Sequence, residues 1–350
     1  MDLKFLLNMK RLILSFCFTM MLFSFSFSQG KKYAVYSVGF YNLENLFDTQ
    51  HDAGKNDFEY LPDGNMKWTD EKYHSKLSNM SQVISEMSTD MLPLGLSVLG
   101  VSEVENDHVL EDLVHQKSLE TRNLQYVHIE GPDRRGIDCA VIYNPRFFQV
   151  DSKRLVPYVS NDTAFKTRGF LVVRGKLAGD DLSVIVNHWP SRFSGPSFRE
   201  VAGRQVRAVK DSLMALDPQM KIVIMGDMND DPDDASMKTE LGAMREQSEV
   251  KAPSDLYNPW WNILRSKGIG TLQYRGNWNL FDQIVVNGNL LGNDRSSLKF
   301  LKNEVFRRDY MMQSEGNYKG YPKRTSAGGV WLNGYSDHLP TIIYLIKELK

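Results

Sequence analysis

Several acidic and histidine side chains stand where apolar runs end, the positions from which a sheet can gather them at one rim. Glu103 closes the run Leu96–Glu103. An acid there is costly to bury unless it is paired or bound to a cation, and its oxygens suit a hard metal ion. His188 closes Leu182–His188, and Asp227 closes Lys221–Asp227 inside the segment Gly226-Asp227-Met228-Asn229. Asn42 ends Tyr33–Asn42, two residues before Glu44. Asp282 lies at the start of a later strand, and Asp337-His338 immediately precedes the last. Neighbours in an extended chain face opposite sides, so one of Asp337 and His338 can reach a metal while the other faces substrate. A carboxylate such as Asp282 paired with His338 would orient that imidazole and raise its basicity.

Taken singly, each position has a structural reading. Asn and Asp favour turns after strands, and a lone strand-end histidine is more often structural. Four strand-like runs ending in polar or acidic groups are harder to dismiss, because ligand sites in α/β folds form where strand ends converge. Glu105 reads as solvated or close to the next helix start. The acidic tail Asp230, Asp231, Asp233 and Asp234 lacks the glycine and terminal glutamate of a calcium loop, so it reads as a solvated turn and helix start.

The elements that must position these groups are short, β-rich and apolar. The runs are Tyr33–Asn42, Leu96–Glu103, Ile137–Tyr143, Phe170–Leu177, Leu182–His188, Lys221–Asp227, Leu280–Asn287 and Thr341–Ile346. Helical periodicity appears chiefly over Asp70–Met91, Val109–Leu119 and Phe198–Leu216. Several runs are apolar throughout, as expected of strands buried on both faces. No repeat or low-complexity linker divides the chain, so residues 29–350 read as a single α/β domain.

The 350 residues are 42% hydrophobic and 24% charged, with a formal charge of −1, which gives no sign of a strongly basic nucleic-acid binder. Lys4, Lys10 and Arg11 precede an apolar run from Leu12 to Phe27, and small residues Ser26 and Ser28 follow. This arrangement reads as a signal peptide over residues 1–28, cut near Ser28. A membrane anchor fits less well, since a span needs about 20 apolar residues. Cleavage removes a net +2 and leaves −3, with Cys139 alone and no internal disulfide. The mature protein is then expected in the periplasm, at the cell surface or in the medium, with no stable membrane span.

In order, the six motif segments resemble the endonuclease/exonuclease/phosphatase superfamily, whose best-known branch is deoxyribonuclease-I-like. The resemblance runs from Val35 to Tyr344, and Gly226-Asp227-Met228-Asn229 and Ser336-Asp337-His338 are its most specific parts. It implies a four-layer α/β sandwich of two packed mixed sheets flanked by helices. It further implies that Asn42, Glu44, Glu103 and Asp337 lie at the metal, and that His188 contacts the scissile phosphate. Asp227 and Asn229 would orient nucleophile and phosphate, with Asp282 and His338 as an Asp-His pair. Mg²⁺ or Mn²⁺ is the implied ion, with Ca²⁺ as a further candidate.

The chemistry implied is metal-assisted, in-line attack of water on a phosphate ester, a reaction whose barrier must fall by more than about 20 kcal/mol. Arg192, beside the strand ending in His188, is a credible phosphate contact. Arg199, Arg204 and Arg207 fall on a helix pattern, where a solvated face is expected. The segment 307–335 interleaves five basic and two acidic residues with Tyr318, Tyr321 and Trp331, which suits either a nucleic-acid strand or a packed loop. The leading expectation is an exported nuclease or related phosphodiesterase. The alternative keeps the chemistry but takes a small phosphate ester: a sugar or inositol phosphate, or a phospholipid headgroup. A non-catalytic binding module on the same fold would be expected to lose Glu103, Asp227 or His338, and all three are present.

Overall fold

The computed structural model describes residues 31–162 and 164–349; the expected signal peptide lies outside the described residues. Strands β1 (Tyr33–Leu46), β2 (Val98–Val104), β3 (Gln125–His128) and β4 (Asp138–Tyr143) are followed by β5 (Phe148–Val156), β6 (Phe170–Leu177), β7 (Asp180–His188) and β8 (Lys221–Asp227). The short β9 (Ala243–Met244) and β10 (Leu256–Tyr257) precede β11 (Asp282–Asn287), β12 (Lys299–Val305) and β13 (Thr341–Glu348). The helices are α1 (Asp70–Glu86), α2 (Asp107–Val114), α3 (Pro196–Leu216) and the short α4 (Trp261–Arg265). One sheet has the order β12-β13-β1-β2-β4-β3 and the other β5-β6-β7-β8-β11-β10-β9. Both are mixed: β1 runs parallel to β2 and β7 to β8, while their other principal neighbours are antiparallel.

Period-two alternation sorts each strand between two cores. Val38 and Phe40 of β1, Val184 and Val186 of β7, and Val223 and Met225 of β8 point into the space between the sheets. Ile185, Ile222 and Ile224 point the other way, onto Ala202, Val206 and Leu213 of α3. On the outer face of the first sheet, Tyr41, Val101 and Ile342 meet Leu77, Met80 and Ile84 of α1 and Leu110 and Leu113 of α2. The result is the expected helix-sheet-sheet-helix sandwich, with strands apolar on both faces because both are covered. Gly100 permits the sheets to approach closely: a Cβ there would lie 2.4 Å from Met225 Sδ.

The strands absent from the expected runs, β3, β5, β12 and the two-residue β9 and β10, are all at or next to sheet edges. Each of β5 and β12 carries exposed charged residues, which blunts an edge against aberrant pairing and also erases the apolar signature. The helix expected to reach Met91 ends at Glu86, and that expected over Val109–Leu119 occupies Asp107–Val114, where the Asn106 side chain caps it by accepting from Val109 N–H at 3.1 Å.

Candidate active site

Parallel pairing puts the C-terminal ends of β1, β2, β7 and β8 in pairs at one rim, and antiparallel pairing brings the starts of β11 and β13 to them. His188 and Asp282 are both direct register partners of Asp227. Every candidate strand-end group therefore arrives on one side of the sandwich. Two register shifts re-aim the chain there, between Asn42 and Leu46 on β1 and between Ser102 and Val104 on β2, as bulges do beside functional sites. Glu44, Asn45, Glu103 and Asn229 all have left-handed φ of 48 to 61°. For non-glycine residues such backbone costs about 1–3 kcal/mol each, and here it falls on two acids, Glu44 and Glu103, and two asparagines of the site.

Asn42 ties two of the carboxylates together. Its amide nitrogen donates to Asp227 Oδ2 at 3.0 Å and Glu103 Oε1 at 3.4 Å, while its Oδ1 accepts from Glu44 N–H at 2.9 Å. In this orientation Asn42 presents N–H groups to the acids and spends its oxygen on its own turn. Glu103 Oε2 accepts from Asn45 N–H at 2.9 Å. His188 Nε2 lies 3.7 Å from both Glu103 Oε1 and Asp227 Oδ2. Beyond Asp227, His338 Nε2 stands 3.8 Å from Asp227 Oδ2, and its Nδ1 meets Asp282 Oδ2 at 2.7 Å. The pairing of Asp282 with His338 is thus present as expected. Asn229 N–H donates to Asp227 Oδ1 at 2.9 Å, and its side-chain amide is anchored on Trp189 O at 3.0 Å. Gly226 makes room for the close β7–β8 approach, since a Cβ would sit 2.2 Å from Asn187 O.

Glu44 and Asp337 form a second group through a residue that the sequence reading did not single out. Arg324 Nε lies 3.1 Å from Glu44 Oε1, and its terminal nitrogen 2.6 Å from Asp337 Oδ2. Thr325 N–H donates to Glu44 Oε2 at 2.7 Å. Buried Lys76 of α1 contacts the Thr325 hydroxyl and the Tyr335 carbonyl. The mouth of the cleft also holds Arg168, buried against Asp133 at 3.2 Å and Trp189 O at 2.9 Å. No spacing rule flags Arg324 or Arg168, because each reaches the site from a loop outside the strand-end motifs.

Burial dominates the electrostatics. It pushes Asp227 up to about 7, with Asp282 and Glu103 adding repulsion and His338 opposing. Burial also works against charge on His338, but Asp282 and Asp227 outweigh it and hold that imidazole well above its usual range. His188 goes the other way, driven well below its usual range by burial and then by Arg168, Arg135 and His338. One histidine is therefore held as a cation and the other as a neutral ring. Burial and the neighbouring Asp337 push Glu44 up to about 7, against Lys76 and Arg324.

Arg199 is not on a solvated face: it is buried with Nε 2.8 Å from Asp230 Oδ1. Asp230 and Asp231 are likewise buried, the former accepting from Ser236 Oγ at 2.7 Å and the latter from Leu280 N–H at 2.8 Å. Glu105 is buried too, accepting from Asp48 N–H at 2.7 Å, and burial pushes its carboxyl up to about 9. Arg192 sits near the rim, but its guanidinium is engaged by Asp234 at 2.9 Å and Asn229 O at 3.1 Å and lies over the Phe281 ring. In the segment 307–335, Arg308 pairs with Asp90, and Trp331 packs edge-on against Trp68, so much of it is a packed loop.

The donor set fits a divalent ion. Glu44, Glu103 and Asp337 offer oxygens, as Mg²⁺ and Mn²⁺ prefer, and a cation would offset the burial and, after it, the Asp337 charge that raise Glu44. Asp227, Asp282 and His338 also present donor atoms within 4.8 Å of one another. In that trio His338 Nδ1 is engaged by Asp282 at 2.7 Å, which leaves its Nε2, 3.8 Å from Asp227 Oδ2, as the free nitrogen.

A buried acid–imidazole–acid chain beside a cation-hungry carboxylate group, at the rim of a two-sheet sandwich, defines a metal-dependent phosphoric ester hydrolase. The chain belongs to the Endonuclease/Exonuclease/phosphatase family, whose sequence profile matches residues 37–347. Among solved structures it is similar to a Bacteroides thetaiotaomicron mannosyl-6-phosphatase, at 16% identity and TM-score 0.56, covering 89% of this chain and 99% of that one. It is also similar to an endonuclease/exonuclease/phosphatase family protein from the same organism, at 15% identity and TM-score 0.55 over 91% and 98% of the two chains. D. rerio TDP2, solved with a single-strand DNA product, matches at 12% identity and TM-score 0.53 over 89% and 99%. No curated protein matches the sequence.

Proposed function

We propose that this protein is an exported phosphodiesterase that cleaves nucleic acid using Mg²⁺ or Mn²⁺, with Glu103, Glu44 and Asp337 as the metal-holding acids. The observation that carries this reading is the cleft over the site, about 420 Å³ in volume. His188, Asp227 and His338 form its floor, Arg135 and Lys166 its cationic wall, and the fully exposed Phe193 ring its rim. Cations beside a stacking surface are what a nucleotide strand uses. The TDP2 relative with its DNA product adds support for that class of substrate.

When bound, the metal supplies positive charge to the phosphate and lowers the cost of charge on the departing oxygen. Asp227, poised near neutrality, accepts a proton from the attacking water. Protonated His338, steered by Asp282, donates a hydrogen bond to the phosphoryl oxygens as charge gathers on them. His188 and Asn229 supply further hydrogen bonds at the same centre, and Asn42 holds Asp227 and Glu103 in place. Arg192 serves only a substrate long enough to compete with Asp234 for it. Export rests on the sequence of residues 1–28; no helix among the described residues is long and apolar enough to cross a membrane.

A small phosphate ester is the second reading, favoured by the mature charge of −3 and by the mannosyl-6-phosphatase relative. Turnover of plasmid DNA, RNA, a simple diester and a panel of phosphomonoesters by residues 29–350 separates the two. Metal-dependent nucleic-acid cleavage, abolished by EDTA, restored by Mg²⁺ or Mn²⁺ and missing from Glu103→Gln, is the expected result. Turnover confined to monoesters would move the protein to the phosphatase branch, and indifference to EDTA would remove the metal.

A further inference from the structure

A second cavity, of about 210 Å³, lies beside the catalytic acids, with Glu44 in its lining. The two cavities share one partition, the turn after Asn42. Glu103 faces the larger cavity and accepts from Asn45 N–H, while Glu44 and Asn45 themselves line the smaller one. The smaller cavity has soft apolar walls from Tyr60, Met66 and Trp68, and Arg324 stands at it half-exposed. Its far rim is Gly328-Gly329, both with left-handed φ (57 and 78°) and with open space where a Cβ would be. Side chains that would close this rim are thus missing, and the backbone there disfavours adding them.

We infer that this cavity is a subsite for the second substituent of a phosphodiester, binding a ring such as a base or sugar between Tyr60, Met66 and the glycine rim. The inference rests on the diesterase reading given above. Two esterified oxygens place two groups on different sides of one phosphorus. A phosphate held over the partition, within reach of Glu103 and Arg324, sends one group into each cavity. A monoester has nothing for the second. Aromatic and thioether walls favour a flat or partly apolar ring, and Arg324 adds a cation beside the phosphate without blocking the pocket.

The test fills the cavity from opposite walls with Ser326→Phe and Met66→Trp, in the full mature protein with Mn²⁺. Kinetics are measured with bis(p-nitrophenyl) phosphate, and the inhibition constant of inorganic phosphate reports on the centre itself. The expected result is a loss of about tenfold or more in diester kcat/KM, carried by KM, as when a ring loses its pocket. Phosphate inhibition should stay as in the unmodified protein. Diester kinetics untouched by both fillings would overturn the subsite alone, as would a phosphate inhibition constant that rises in step with the diester loss. No metal-dependent turnover of this diester by the unmodified protein would sink both the subsite and the diesterase reading.

Discussion

Asp227 and Asp230 lie three residues apart, both buried, yet they have opposite kinds of company. Asp230 faces Arg199 at 2.8 Å and the Ser236 hydroxyl, and its neighbours Asp231, Asp233 and Asp234 share Arg192 and Arg265. Arginine does not give up its proton in a protein, so that turn is a permanently neutralised brace joining α3 and the loop before β11. Among the described residues no arginine pairs with Asp227. Its cationic neighbour is His338, a group that can release a proton, and Asp282 and Glu103 press further negative charge upon it. Burial raises both carboxyls, Asp230 to about 6 and Asp227 to about 7. Within this pair the partner separates the roles: the fixed cation beside Asp230 makes it structural, while the titratable one beside Asp227 leaves it able to exchange protons.

Deleting either set of side chains should separate the two acids most clearly. Asp227→Ala or His338→Ala should lower turnover by about 10²–10⁴-fold in a protein that still folds; near-normal kinetics would remove the residue from the reaction. Arg199→Ala should do the reverse. Stranding buried Asp230 should cost about 3–5 kcal/mol in urea unfolding, with turnover per folded molecule retained, and a variant as stable as the parent would show that the brace carries no load.

The metal-free protein should also lose stability as pH rises from about 5 to 8. Glu44 and Asp227 titrate near 7 when folded and nearer 4 when unfolded. Between those values the folded state holds protons that the unfolded state has lost, so raising pH favours unfolding. His338, raised above its usual range, acts in the same direction above about 6.5, whereas His188, lowered, opposes it below that point. Melting temperatures against pH in EDTA test the sign, and added Mn²⁺ should flatten the slope at its alkaline end. The smallest effect belongs to Arg192→Ala. Its pairs are half-exposed and screened, so about 1 kcal/mol or less is expected in denaturant unfolding; a large KM rise on long DNA would instead place it on the substrate.

Much of the molecule was legible from its residues. Apolar runs ending in Glu103, His188 and Asp227 located strands whose ends meet at one rim, since burial on both faces writes a strong signal into the sequence. The motif order anticipated the two-sheet sandwich and the pairing of Asp282 with His338. The edge strands β3, β5 and β12 were not legible, because a solvated edge needs charge and no apolar pattern. Nor was the burial of Arg199, Asp230 and Glu105: a helix or turn of charged residues reads as solvated until its partners are known.

The two-sheet sandwich came from the family resemblance, while residue types and their order along the chain by themselves determined one α/β domain with strands buried on both faces and a supply of acids and histidines at the strand ends. Those follow from local rules, periodicity and the preference of strands for apolar residues. Only the tertiary structure decided which acids are neutralised by arginine and which are left to a histidine or a metal. It alone made His338 a cation and His188 a neutral ring, and brought Arg324 between Glu44 and Asp337. The reason is that charge state depends on burial and on partners within a few ångströms, and those partners come from segments hundreds of residues apart, as Arg324 and Glu44 do across 280 positions.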